Sequence, residues 1–133
     1  MDTPTLDISI VIPIHNEAES LPGLHAELTA VLQALGQSYE IIAVDDGSRD
    51  NSAQVLKQLS AADPHVVVVC LRRNFGQTAA FAAGFEQARG TTVITIDADG
   101  QNDPADIPVL LGKLAEGYDI VSGWRQARKE PML

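Results

Sequence analysis

The sequence predicts an α/β domain built on a mostly parallel sheet with helices on both faces. Short runs rich in Val and Ile alternate, along nearly the whole chain, with stretches whose apolar residues recur every three or four positions. The short runs are apolar at successive positions, which is the pattern of strands buried on both faces. With 133 residues, of which 45% are hydrophobic, there is room for one compact domain, and residues 1–133 are read as that single domain.

Ile8–Ile14 is the first strand, closed by Pro13 and the turn-prone His15-Asn16. From Glu17 to Leu35, Leu21, Leu24, Leu28, Val31, Leu32 and Leu35 form a helical stripe that Gly36 ends. Ile41–Val44 is a second strand that delivers Asp45-Asp46-Gly47-Ser48. Ser52–Leu59 reads as a shorter helix with Asp50 or Asn51 as N-cap. Val66–Leu71 is the third strand and Asn74-Phe75-Gly76 a turn. Gln77–Arg89 sets small alanines among Phe81 and Phe85, so it should be a helix packed closely on the sheet. Val93-Ile94-Thr95-Ile96 is the fourth strand, stopping on Asp97 and Asp99, with Gly100 to Pro104 as the turn that ends it. A helix from Ala105 or Asp106 to Glu116, introduced by Pro104 and stopped by Gly117, precedes a fifth strand at Tyr118–Ser122.

The net charge of −9, from 18 acids against 9 bases, excludes a nucleic-acid surface, which needs clustered Lys and Arg. The one cysteine, Cys70, lies in an apolar run, so no disulfide framework is available and a buried thiol is expected. Met1 to Asp7 lacks the basic start of a signal peptide. No apolar run approaches the roughly 18 to 20 residues of a spanning helix.

Three polar clusters follow three strands: His15-Asn16-Glu17, Asp45-Asp46, and Asp97, Asp99 and Gln101. In a parallel sheet all carboxyl ends share one edge, the edge where open α/β sheets bind ligands, so the clusters converge. An Asp-Gly pair alone is explained equally well as a turn; three acidic clusters on one edge point to a site. Asp99 and the amide oxygen of Gln101 suit a hard cation such as Mg2+ or Mn2+ with substrate phosphate completing the shell. His15 stands alone at a strand end, where it is expected to contribute backbone atoms only. His25 and His65 are expected on the solvated surface. Arg72-Arg73 and Arg125 supply planar forks suited to phosphate, Arg128 and Lys129 read as surface charge, and Trp124 as core. Gly76-Gln77 opens a helix whose first N–H groups suit an anion.

Taken together, Val11-Ile12-Pro13 with Asn16-Glu17, Val44-Asp45-Asp46-Gly47-Ser48, Arg73-Asn74-Phe75-Gly76-Gln77, and Asp97-Ala98-Asp99-Gly100-Gln101-Asn102-Asp103-Pro104 resemble the family 2 glycosyltransferases, in family order over nearly the whole chain. The nearest resemblance is to polyprenyl-phosphate sugar transferases of the dolichyl-phosphate mannose synthase type. The resemblance implies the Rossmann-like, nucleotide-binding half of a GT-A fold. It implies that Pro13, Glu17 and Asp46 line the base and ribose, with Asp45, Arg73, Gly76 and Gln77 also on the nucleotide side. By the same resemblance Asp97 approaches the nucleotide, Asp99 and Gln101 hold the metal, and Arg125 meets the acceptor phosphate. Asp97, Asp99 and Arg125 are thus the expected catalytic set. Relatives carry a Gly-Ser-Arg type segment where this chain has Gly123-Trp124-Arg125.

The implied reaction is metal-dependent transfer of a hexose from a nucleotide-diphosphate sugar to a polyprenyl phosphate (undecaprenyl or dolichyl) with inversion. Family catalytic domains continue well past this chain's last residue, so a C-terminally truncated catalytic domain is expected. Membrane contact is then assigned to the missing C-terminal region, and the place of action to the cytoplasm at the inner face of the plasma membrane. Apolar surface left by a missing half could drive homodimerisation. Two rivals stand beside this reading. One is a non-catalytic nucleotide-sugar or metal-binding module. The other is a receiver-type signalling domain, which would need an acid at the end of the first strand and a lysine after the fifth, where this chain offers Glu17 and Arg125.

Overall fold

The computed structural model describes residues 5–98 and 103–116. Their elements run β1 (Leu6–Ile14), α1 (Leu21–Leu35), β2 (Tyr39–Asp45), α2 (Ser52–Ala62), β3 (Val66–Cys70), α3 (Gln77–Gln87), β4 (Gly90–Thr95), a short 3-10 turn at Pro104–Asp106, and α4 (Ile107–Ala115). The four strands pair in parallel in the order β3-β2-β1-β4. The alternation read from the sequence therefore holds. The expected fifth strand, Tyr118–Ser122, lies outside the described residues.

Alternate residues of the central strands feed two cores. Ile8, Ile10, Ile12 and Ile14 of β1, with Ile41 and Ala43 of β2, face Leu21, Leu28 and Leu32 of α1, Leu56 of α2 and Ile107 of α4. Each fully buried Leu or Ile there contributes about 1.5–3 kcal/mol relative to exposure. The opposite residues, Val11, Ile42 and Val44, face Ala80 of α3. Helices thus cover both faces, three on one and α3 on the other. The small residues of α3 have a steric reason: a Cβ on Gly84 would stand 2.4 Å from Cγ1 of Val11, so the helix rides directly on the sheet.

The sheet buries one carboxylate. Glu40, 2% exposed, accepts the Ser9 hydroxyl at 2.6 Å and the Arg89 backbone N–H at 2.7 Å, with the Arg89 Nε at 3.4 Å. Ser9 Oγ in turn accepts the Gly90 N–H at 2.7 Å. A buried charge is tolerated when it is fully hydrogen-bonded. This network ties the α3–β4 connection to the amino ends of β1 and β2.

Four readings are corrected. The first helix begins at Leu21, not Glu17, because Asn16 adopts a left-handed φ of 56° and side chains of the next loop take the N–H groups of residues 16–18. Cys70 is exposed rather than buried, because it ends β3, which lies at the sheet edge among the described strands. Nor are His25 and His65 free on the surface. His25 Nε2 lies 2.7 Å from Asp63 Oδ2, His65 Nδ1 lies 2.8 Å from Asp63 Oδ1, and the His65 ring stacks on Tyr39 at 4.2 Å. Burial opposes the charge on Asp63, but the hydrogen bonds from His25 and His65 outweigh it and hold the carboxyl at about 2.

Candidate nucleotide site at the carboxyl edge

The strand order reverses between β1 and β4, and ligands of open α/β sheets bind outside the carboxyl ends at such a point. A cleft of about 240 Å³ lies there. β1 and its loop supply Pro13, Ile14, His15 and Glu17, β2 supplies Asp46, the start of α3 supplies Gly76 and Gln77 with Asn74 before it, and β4 leads into Asp97 and Ala98.

The loops around the cleft are zipped by short polar side chains. Asn16 Oδ1 accepts the N–H groups of Arg49 and Asp50 at 2.8 and 3.2 Å, while the Asn16 N–H donates to Ser48 Oγ at 2.9 Å. Ser52, fully buried, accepts the Glu17 N–H at 2.9 Å. The Ser52 hydroxyl holds the Asp50 carboxyl below its ordinary value, and the Asp50 oxygens accept the N–H groups of Ser52 and Ala18. These bonds satisfy backbone N–H groups in the loops that lead into α1 and α2.

Asp46 joins three strands. It is 4% exposed, and its two carboxylate oxygens accept the Phe75 and Gly76 N–H groups at 2.8 and 3.0 Å. Its backbone carbonyl accepts from Nδ1 of His15 at 2.9 Å, which places the ring proton on Nδ1. Gly47 follows at φ 65°, and a Cβ there would lie 2.3 Å from the backbone of Arg73 and Asn74. Two loops therefore meet backbone to backbone beside the cleft.

Across the cleft, Gln77 Nε2 donates to Asp97 Oδ1 at 2.8 Å. The Ser20 hydroxyl lies 3.2 Å from both Glu17 Oε2 and the Ala98 carbonyl. The segment leaving β4 is thereby tied to α3 on one side and to the start of α1 on the other.

Of the residues expected on the nucleotide side, Pro13, Glu17, Asp46, Gly76, Gln77 and Asp97 line the cleft. Asp45 and Arg73 are not among its walls. Asp45 is buried and turns its carboxylate to the Ser48 N–H at 3.3 Å. The Arg73 guanidinium sits over the Phe75 ring at 4.9 Å. Asp99, Gln101, Arg125 and Trp124 lie outside the described residues. The anion site expected at the opening of α3 is narrowed, because Asp46 already occupies the Gly76 N–H. His15 is more than a source of backbone atoms, since it lines the cleft and its ring is bonded to the Asp46 carbonyl. Asn74 was named by sequence only within a turn and a motif, with no role, and Ser20 was not singled out; their partners are distant in the chain.

A family model described as "Glycosyl transferase family 2" matches residues 9–132. An undecaprenyl-phosphate 4-deoxy-4-formamido-L-arabinose transferase from Pseudomonas fluorescens (strain SBW25) is 56% identical over 124 residues, which is 92% of this chain and 36% of that protein. The chain therefore spans about a third of the length of that curated relative. Among solved structures, glucosyl-3-phosphoglycerate synthase from Mycobacterium tuberculosis in complex with UDP aligns with TM-score 0.67 and 23% identity over 86% of this chain and 42% of the other. The mannosyltransferase PcManGT from Pyrobaculum calidifontis in complex with GDP-Man and Mn2+ aligns with TM-score 0.56 and 21% identity over 73% of this chain and 28% of the other. At these identities the structural matches speak for the fold, a GT-A type α/β arrangement. With the family model spanning nearly all of the sequence, the chain belongs to glycosyl transferase family 2.

Proposed function

We propose that this chain carries the nucleotide-sugar site of an inverting glycosyltransferase that moves a sugar from a nucleotide-diphosphate sugar to a polyprenyl phosphate. The observation that carries this reading is the cleft where the strand order reverses, with Glu17, Asp46, Gln77 and Asp97 on its walls. Residues 1–133 act in it as one domain. The name of the 56% identical relative supports a polyprenyl-phosphate acceptor.

Pro13, Glu17 and Asp46 hold the nucleoside end. The N–H groups that follow Gly76 at the start of α3 face the diphosphate, for which a helix N-terminus is suited. Gln77 orients Asp97 through the 2.8 Å bond and so fixes the carboxylate nearest the leaving group. Carboxylate and amide oxygens are the donors a hard divalent ion takes, so the residue types fit Mg2+ or Mn2+. Asp99 and Gln101 would hold that ion, whose chemistry is to offset the charge that builds on the departing diphosphate. Arg125 pairs with the acceptor phosphate, for which a guanidinium fork is suited. A phosphate monoester has its second pKa near about 6 and arrives ionised, so no general base is assigned. Transfer to a lipid phosphate places the reaction at a membrane face, here the cytoplasmic face of the plasma membrane. A polyprenyl-phosphate acceptor implies that the whole protein works in contact with the bilayer.

Incubation of the chain with a nucleotide-diphosphate sugar, Mn2+ and a short polyprenyl phosphate tests the reading. Hexose donors and a 4-formamido-arabinose donor are run in parallel, the latter because the relative's name specifies it. Glycolipid of inverted anomeric configuration is the expected product. Nucleotide binding without product would assign this chain the donor site alone, and absence of both would overturn the reading.

A further inference from the structure

His15 is an exposed residue whose ring is nonetheless fixed from three directions. Its Nδ1–H donates to the Asp46 carbonyl at 2.9 Å, and the Asn16 amide nitrogen lies 3.3 Å from its Nε2. The Asn74 amide nitrogen lies 3.0 Å from Nδ1 and 3.2 Å from Nε2. A nitrogen so near both ring nitrogens stands over the ring face, because in the ring plane it would overlap the carbon between them. With Nδ1 already donating to Asp46, the Asn74 N–H is directed at the π face of the imidazole. Asn74 is itself held in place. The neighbouring Phe75 and Gly76 N–H groups are bound by the Asp46 carboxylate, and the Asn74 backbone packs on Gly47.

We infer that Asn74 is a positioning residue that holds the His15 ring as a fixed wall at the nucleoside end of the cleft, where a flat base can stack. The inference rests on the nucleotide-site reading above and extends it to a residue with no assigned role. Its physical content is preorganisation. An exposed imidazole left to rotate must be ordered when a base arrives, and a ring already pinned on one face by an amide avoids that cost. Stacking against a heteroaromatic base then draws on a surface whose orientation is set before binding. The same coupling makes the effect of Asn74 depend on His15.

The test is calorimetric titration of the full chain in Mn2+ with UDP and GDP, and separately with inorganic pyrophosphate, which has no base. Asn74→Ala removes the amide, and Asn74→Asp keeps its shape while removing the N–H donors. Both are expected to weaken the nucleoside diphosphate that the wild type binds by about fivefold while leaving pyrophosphate unchanged. In a His15→Ala background, Asn74→Ala should have no further effect, since residues acting as one unit are not additive. Wild-type affinity in Asn74→Asp, equal losses for nucleotide and pyrophosphate, or additive losses in the double variant would each overturn the inference. A wild-type chain that binds pyrophosphate but neither nucleotide would overturn the nucleotide reading beneath it. Thermal melts of each variant show that the loss is one of binding rather than of fold.

Discussion

Gly47 and Arg73 approach so closely that a single added carbon would lie 2.3 Å from the Arg73 carbonyl carbon. The contact also sits at a left-handed φ of 65°, where any L side chain is strained. Gly47→Ala therefore combines backbone strain with overpacking, each on the order of 1–3 kcal/mol. The expected result is a loss of about 3 kcal/mol in urea unfolding, with nucleotide affinity reduced in whatever fraction still folds. A variant as stable as the wild type would mean that the two loops separate without cost.

Asp46→Asn is expected to act on the cleft twice. The new amide presents a donor to one of the Phe75 and Gly76 N–H groups that the carboxylate now accepts. Leaving one such part-buried donor unpaired costs on the order of 1 kcal/mol. Because Phe75 and Gly76 open α3, binding of the nucleoside portion should weaken more than binding of Mn2+. Isothermal titration with UDP or GDP, compared with Mn2+ alone, checks this; equal nucleotide affinity in both proteins would remove Asp46 from the site.

Asp63 gives a prediction in acid. Its folded-state carboxyl titrates at about 2, below the roughly 3.9 of an unfolded Asp. A depressed folded value means stability that is present above about pH 4 and lost as the pH falls toward about 2. Asp63→Asn should be less stable than the wild type at pH 6, and the gap should close between pH 4 and pH 2. Urea midpoints measured at several pH values test it, and a constant gap across that window would contradict the His25–Asp63–His65 bonding.

Asp99→Ala should abolish Mn2+-dependent nucleotide binding while leaving the thermal midpoint within a few degrees. Asp99 comes four positions after Thr95, the last residue of β4, so its substitution removes no strand residue. Calorimetry with and without Mn2+ reads the effect, and unchanged binding would sink the metal assignment.

Much of this architecture was legible in the residues. The unbroken apolar runs of β1 and β2 announce strands covered on both faces, and the small residues of α3 announce a helix in close contact. The convergence of Glu17, Asp46 and Asp97 follows from parallel topology alone, since parallel strands share one carboxyl edge. What stayed hidden was pairing. Nothing local marks Asn74 as the cap on His15, Asp63 as the meeting point of two histidines, or Ser20 as a tether for Ala98. Glu40 was hidden differently: a charge ahead of Ile41 reads as the outside of a strand, and its burial becomes sensible only once Ser9 and Arg89 are folded against it. Cys70 misled for the converse reason, because apolar neighbours announce a strand but not whether that strand lies at the edge of the sheet.

The reversal of strand order gives the cleft a place in time as well as in space. Its walls run from β1 and the residue after β2 to the start of α3 and the segment after β4, and the tether between Ser20 and Ala98 joins residues 78 apart in sequence. β1, α1, β2 and β3 can assemble in the order in which they leave the ribosome, but β4 must return across the whole unit to lie beside β1. Closing so long a loop is an entropic expense met late in folding. The pocket is consequently absent from every partly folded form in which β4 is undocked. A nucleotide that binds it stabilises only the finished sheet, by an amount that grows with ligand concentration.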